Sequence, residues 1–174
     1  MHHASNPVAT RLCLIRHGET EWNAEKRIQG HTDIPLSATG RAQALAMAYN
    51  AAHHRFAAIY SSDLARARET AQALAAREDA PVLPLPQLRE RHYGIFQGLT
   101  ATEAAVRHPQ AYACYVARDP DYAFETGESL RAFADRVASG IDWLARHHPG
   151  QTVAAVCHRS EEHTSELQSP YVIS

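Results

Sequence analysis

At 174 residues and 19.2 kDa, the chain has the length of one domain and is too short for two cores of ordinary size. Hydrophobic residues at 45% and charged residues at 21% exclude a disordered or collagen-like chain. A formal net charge of −2 excludes the broad positive field of a nucleic-acid binder, while leaving room for a local cationic pocket.

Leu12-Cys13-Leu14-Ile15 is an unbroken apolar run closed by charge, the pattern of a strand buried on both faces of a parallel sheet, though a helical segment would show the same run. Pro35-Leu36-Ser37 then opens a helix with Ala42, Leu45, Tyr49 and Ala52 on one face and Ser37 as its cap. Ala58-Ile59-Tyr60 predicts a second strand. Ser61, Ser62 and Asp63 offer caps to a second helix, along which Leu64, Ala67, Ala71 and Leu74 recur at helical spacing. Val82-Leu83-Pro84-Leu85 predicts an edge or irregular strand, because Pro84 has no N–H to give a ladder. Thr100 and Glu103 have capping-box spacing, and His108-Pro109 stops the short helix they open. Residues 109–127 show no clear period and read as a helical or irregular cap. Leu130, Phe133, Val137, Ile141 and Leu144 form the strongest helical stripe, closed by His147-His148-Pro149-Gly150, and residues 152–157 predict the fourth strand. Strands and helices alternating in this way predict an α/β domain of three layers, with a mostly parallel sheet and helices on both faces.

The cysteines Cys13, Cys114 and Cys157 are odd in number and form no CxxC pair, which points away from a disulfide framework and towards a reducing compartment. Residues 1–10 lack the signal-peptide pattern and no apolar run approaches membrane-spanning length, so a cytoplasmic protein without a membrane partner is expected.

Polar residues gather where the predicted strands end. Arg16 and His17 follow the first strand, Arg66 and Arg68 the second, Glu90 and Arg91 the third, and His158 ends the fourth. In open α/β sheets the ligand crevice lies outside the carboxyl ends of the strands, so these segments should converge on one pocket. Paired arginines suit a phosphoryl group, whose oxygens match the planar donors of guanidinium. A histidine beside them is biased towards its neutral form, leaving a ring nitrogen free to attack phosphorus. A second histidine can donate to the transferring oxygens, and a carboxyl group can protonate the leaving alcohol. Taken singly, each residue also has a plainer reading, as a solvated charge, a loop ion pair or a strand-end histidine bonded to backbone. No HExxH, paired cysteines, P-loop or GxGxxG is present, so neither a metal nor a cofactor is expected.

Leu14-Ile15-Arg16-His17-Gly18-Glu19-Thr20-Glu21-Trp22-Asn23 resembles the signature of the histidine phosphatase superfamily, in its phosphoglycerate mutase-like branch. The resemblance continues through Gln29-Gly30, Pro35-Leu36-Ser37, Ser61-Ser62-Asp63-Leu64-Ala65-Arg66-Ala67, Glu90-Arg91-His92-Tyr93-Gly94 and Gly127-Glu128-Ser129, nearly the whole of residues 11–158. It implies a phosphoglycerate mutase-like α/β fold and a phosphomonoesterase acting on a small-molecule phosphate ester. It also implies that His17 is the nucleophile, that Arg16 and Arg66 clamp the phosphate, that Glu90 is the proton donor, and that His158 is the second phosphate-pocket histidine. Thr20, Asn23, Gln29, Gly30, Arg91 and Tyr93 match or adjoin substrate-pocket positions. The cofactor-dependent mutases carry a longer insertion with adjacent basic residues, whereas residues 98–127 hold only Arg107 and Arg118, well separated. Ester hydrolysis is therefore expected ahead of phosphoglycerate mutase activity, with a non-catalytic phosphate-binding member or an inert fragment as the alternative of a different class. Oligomeric state stays open.

After His158 the family usually continues with glycines and a further helix. Here Arg159-Ser160-Glu161-Glu162-His163-Thr164-Ser165-Glu166-Leu167-Gln168-Ser169 resembles the in-frame translation of a sequencing-adapter oligonucleotide, although a polar tail or solvated helix would have the same composition. The expected organisation is a histidine phosphatase domain over residues 1–158, truncated at its C-terminus, with residues 159–174 as a non-native tail.

Overall fold

The computed structural model describes residues 9–159; the sequence reading of the tail from residue 160 falls outside them. In chain order the first elements are β1 (Arg11–Arg16), α1 (Glu21–Ala24), α2 (Ala38–Asn50), β2 (Ala58–Ser61), α3 (Ala65–Glu78) and β3 (Val82–Pro84). They are followed by α4 (Ala101–Arg107), α5 (Pro109–Val116), α6 (Leu130–His147) and β4 (Thr152–Cys157).

The four strands make one sheet in the order β1-β4-β2-β3, and every pair is parallel. Side chains alternate across it. Ile15, Ile59, Ala154 and Val156 pack with Ala48 of α2 and with Ala67, Ala71 and Leu74 of α3. Leu12, Tyr60, Val153, Ala155 and Cys157 face the other way, against Leu144 of α6. Helices thus cover both faces of the inner part of the sheet, and β1, β2 and β4 read as apolar runs because their central residues are shielded from water on both sides. β3 lies at the sheet's edge, where the missing N–H of Pro84 leaves no gap in a ladder. A third cluster, Phe96, Ala104 and Phe124, holds α4, α5 and the cap segment together.

Two local expectations are corrected. The buried face of α2 is Gly40, Ala44 and Ala48, whereas Leu45 and Tyr49 are 66% and 71% exposed. Small residues win that face because α2 lies against the loop after β1, so close that a Cβ at Gly40 would strike the Glu19 carbonyl. The cap of α3 also differs. Its N-cap residue is Leu64, without a side-chain cap, and the Ala65 N–H instead donates to Asp33 Oδ1 at 2.6 Å. Asp63 is held away in a two-bond ion pair with Arg89, both contacts 2.6 Å. The Ser37 cap of α2 and the Thr100–Glu103 capping box of α4 are both present.

Candidate active site

The register of the sheet sets the centre of the site. Arg16 pairs with Cys157, so His17 and His158 are the next residues on two adjacent parallel strands and emerge on the same face. The ladder runs one bond further, from the His17 N–H to the Cys157 carbonyl at 3.1 Å. The two imidazoles consequently meet edge to face, with centroids 5.0 Å apart, about the spacing of neighbouring strands. Cys157 points to the opposite face and packs beside Leu144, which removes it from the chemistry.

His17 is buried and its Nδ1–H donates to the Gly18 carbonyl at 2.7 Å. A carbonyl can only accept, so this bond fixes the proton on Nδ1 and leaves Nε2 with its lone pair. Burial, and then the Arg66 guanidinium, push the His17 pKa down to about 4, against the opposing pull of the Gly18 bond and with a further push from Arg16. His158 is fully buried, shares a 2.9 Å hydrogen bond with Ser62 Oγ, and is driven well below the ordinary histidine range by burial, then by Arg66 and His17. Burial and these neighbours favour the neutral form of both rings near neutral pH.

Arg66, on the first turn of α3, is 1% exposed, and its Nη1 and Nη2 donate to the carbonyls of Thr32 and Gly30 at 3.0 and 2.8 Å. Gly30 has φ +55° and a Cβ there would collide with the Gln97 side chain, so glycine is required where this carbonyl turns towards Arg66. The loop after β1 is fixed equally firmly. Gly18 N–H donates to Thr70 Oγ1 of α3, and a Cβ on Gly18 would strike the Gly40 carbonyl of α2.

A cavity of about 410 Å³ opens over these groups, lined by Arg16, His17, Asn23, Gln29, Gly30, Arg66, Glu90 and Tyr93 among the expected residues. Glu90 Oε1 accepts the Arg91 N–H at 2.7 Å. His158 stands against His17 from behind the lining. Thr20 and Arg91 do not line the cavity. Thr20 is fully buried and caps α1: its hydroxyl accepts the Asn23 N–H, Asn23 Oδ1 accepts the Thr20 N–H, and its one O–H faces Gln29 Oε1 at 2.9 Å, so it positions two lining residues. Arg91 lies over the rings of Phe124 and Tyr93 and donates to the carbonyls of Glu128 and Tyr122, which turns its guanidinium into the cap.

Arg27, Ile28 and Tyr115 line the cavity without having been singled out, and Arg159 joins them. Arg27 and Ile28 directly precede Gln29-Gly30, a signal that was there to be used. Tyr115 comes from α5, in the stretch with no readable period, and reaches the cavity through ring contacts with Tyr93, Phe96 and Phe124. Among the described residues, no group of three or more His, Cys, Asp or Glu is placed to hold a metal ion, and no helix is long and apolar enough to cross a membrane.

Fold and site together define an α/β domain that gathers a histidine pair and arginines at the carboxyl ends of its central strands. The family model described as histidine phosphatase superfamily (branch 1) matches residues 12–160, and the chain belongs to that superfamily. It is 40% identical over 152 residues to a metal-independent phosphoserine phosphatase of Arabidopsis thaliana, covering 86% of this chain and 64% of the relative. A glucosyl-3-phosphoglycerate phosphatase of Mycolicibacterium vanbaalenii is 44% identical over 143 residues, covering 78% of this chain and 63% of that protein. The solved structure of Bacillus stearothermophilus YhfR superposes with a TM-score of 0.83 at 32% identity, covering 95% of this chain and 88% of that one. The fold is therefore of the phosphoglycerate mutase-like α/β type. The chain spans just under two thirds of the length of the two curated relatives.

Proposed function

We propose that the chain is a phosphomonoesterase that hydrolyses a small phosphate ester through a phosphohistidine on His17. The observation that carries the reading is the Nδ1–H bond to the Gly18 carbonyl, which leaves Nε2 unprotonated beside two arginines. Nε2 attacks phosphorus and the ester P–O bond breaks. The leaving oxygen takes a proton from the Glu90 carboxyl group, which lines the same cavity. In the second step Glu90 takes a proton from water as that water attacks phosphorus, the P–N bond breaks, and inorganic phosphate leaves with His17 and Glu90 restored.

Arg16 and Arg66 hold the charge that spreads over the phosphoryl oxygens. Burial is the larger influence on His158, but a bound phosphate is negative and opposes the push from Arg66, which favours a proton on that ring and makes it a further donor. Asn23, Gln29, Gly30 and Tyr93 bound the rest of the substrate. Relatives named as phosphatases favour hydrolysis over transfer within a phosphoglycerate; neither Arg107 nor Arg118 lines the cavity, and Arg27, which does, is paired with Glu25 and Glu103. Relatives named as phosphatases of phosphoserine and glucosyl-3-phosphoglycerate support a small substrate. The free thiols of Cys13, Cys114 and Cys157 support placement in the cytoplasm. The test is His17→Ala, which should lower turnover of an aryl phosphate by more than about 10²-fold while leaving the melting curve cooperative. Wild-type turnover should persist in a metal chelator. Activity of His17→Ala within tenfold of wild type would refute the assignment.

A further inference from the structure

Glu90 lies in an irregular stretch just after the 3-10 turn Pro86–Leu88, and carbonyls of the turn and the stretch converge on one side chain from α6. Arg136 Nη1 donates to the carbonyls of Gln87 and Arg89 at 2.8 and 2.9 Å, and Nη2 donates to the Glu90 carbonyl at 3.2 Å. The guanidinium is itself held by a bidentate pair with Glu128, at 2.7 and 2.8 Å. Glu128 also accepts the His92 N–H at 2.9 Å, so one carboxylate fixes the arginine and the chain just beyond Glu90. From the opposite side His31 Nε2–H donates to the same Glu90 carbonyl at 2.7 Å, which ties it to the residue following Gly30.

We propose that Arg136, held by Glu128, is a positioning residue for general acid catalysis by Glu90. The inference rests on the phosphomonoesterase reading and adds a residue about 46 positions away in sequence, without contact to substrate. A planar guanidinium can serve three nearby carbonyls and a carboxylate at once, and an ammonium cannot reproduce that fork. The Glu90 carboxyl group departs from a backbone whose carbonyl is gripped by two donors, so its aim at the leaving oxygen depends on both. A displacement of about 1 Å in a catalytic group costs up to roughly 10²-fold in rate. Loosening the arginine should therefore weaken proton donation and leave phosphate binding and nucleophilic attack in place.

The experiment compares wild type, Arg136→Lys and Glu128→Gln on aryl phosphates whose leaving phenols span a wide pKa range, with melting curves for each. The expected result for both variants is a loss of about tenfold in kcat/KM, which reports transfer to His17 alone, for poor leaving groups, with kcat/KM for the best leaving groups within about twofold of wild type. In a Glu90→Gln background, Arg136→Lys should cause no further change in leaving-group dependence, because the group it positions is gone. An equal loss of kcat/KM for all esters would mean a general structural role and would overturn the proposal. So would wild-type behaviour of both variants, or additivity with Glu90→Gln. If Arg136→Lys does not fold, Glu128→Gln decides the matter, since it loosens the guanidinium without removing it. Failure of the underlying reading is separate and visible: His17→Ala would retain activity.

Discussion

His17 does its work because two influences on one ring act together. The Gly18 carbonyl selects the tautomer, while burial and Arg66 suppress protonation, so Nε2 is available well below the pH at which a free imidazole would be charged. The expected consequence is a kcat/KM profile whose acid limb, once the ionisation of the ester itself is subtracted, shows no group titrating near 6.5 and falls only towards about 4. Measuring it on a single aryl phosphate between pH 4 and 8 is sufficient, and a limb centred near 6.5 would show that the free enzyme carries an ordinary histidine. Thr20 acts at one remove. Its hydroxyl is buried between Asn23 and Gln29, so Thr20→Val should leave Gln29 Oε1 short of a donor at a cost of about 1–3 kcal/mol and raise KM more than it lowers kcat. Thermal melting and steady-state kinetics on the same preparation check both parts, and an unchanged KM would detach Thr20 from the substrate pocket.

At the scale of elements, the site depends on how closely α2 approaches the loop after β1. Ser37 N–H donates to the Glu19 carbonyl at 2.9 Å and Ser37 Oγ to Glu19 Oε1 at 3.1 Å, while Gln43 Oε1 accepts the Glu19 N–H at 2.9 Å. Gly40 sits in the middle of this contact with backbone on the far side, which cannot swing away as a long side chain would. Gly40→Ala should cost about 1–3 kcal/mol and displace the loop that carries His17, lowering the melting midpoint and turnover together. A variant with wild-type stability and rate would mean that the helix is free to retreat. This contact also explains what was legible in the sequence. The strands and α6 were readable because burial on both faces, or on one wide stripe, leaves continuous or periodic apolar runs, as in Phe133, Val137 and Leu144. The inward face of α2 was not, since it is made of glycine and alanine and the larger Leu45 and Tyr49 face solvent. Asp33 as the cap of α3 was equally hidden, because the donor and acceptor lie far apart in sequence and only the folded loop brings them together.

In the whole molecule, the strand order β1-β4-β2-β3 puts His17 and His158 side by side, and helices from both halves of the chain hold the groups around them. The expected convergence of strand ends was therefore a reading of topology: His17, Arg66 and Glu90 line one cavity and His158 stands against His17, whereas Arg68 lines a different one. What it could not place were Arg91 and Tyr115, whose directions depend on how the aromatic cap packs. Keeping His17 neutral inside the fold has a stability consequence. Its folded pKa of about 4 lies below the ordinary 6.5, so between those values the unfolded chain binds more protons than the folded one. Stability linked to this ring is complete above pH 6.5 and is lost as pH falls towards 4, on the order of 3 kcal/mol in all. His158, shifted the same way, adds to the slope. Melting midpoints from pH 8 to 4 should fall more steeply for wild type than for His17→Asn, and parallel curves would contradict the burial account.

The central claim is that phosphate passes through His17. Rapid mixing with a labelled aryl phosphate, an alkaline quench that preserves phosphohistidine, and peptide mapping would test it most directly. The account predicts a transient label on His17, absent from His17→Ala and accumulating when Glu90→Gln slows its hydrolysis. Turnover without a labelled histidine, or with the label on another residue, would contradict it.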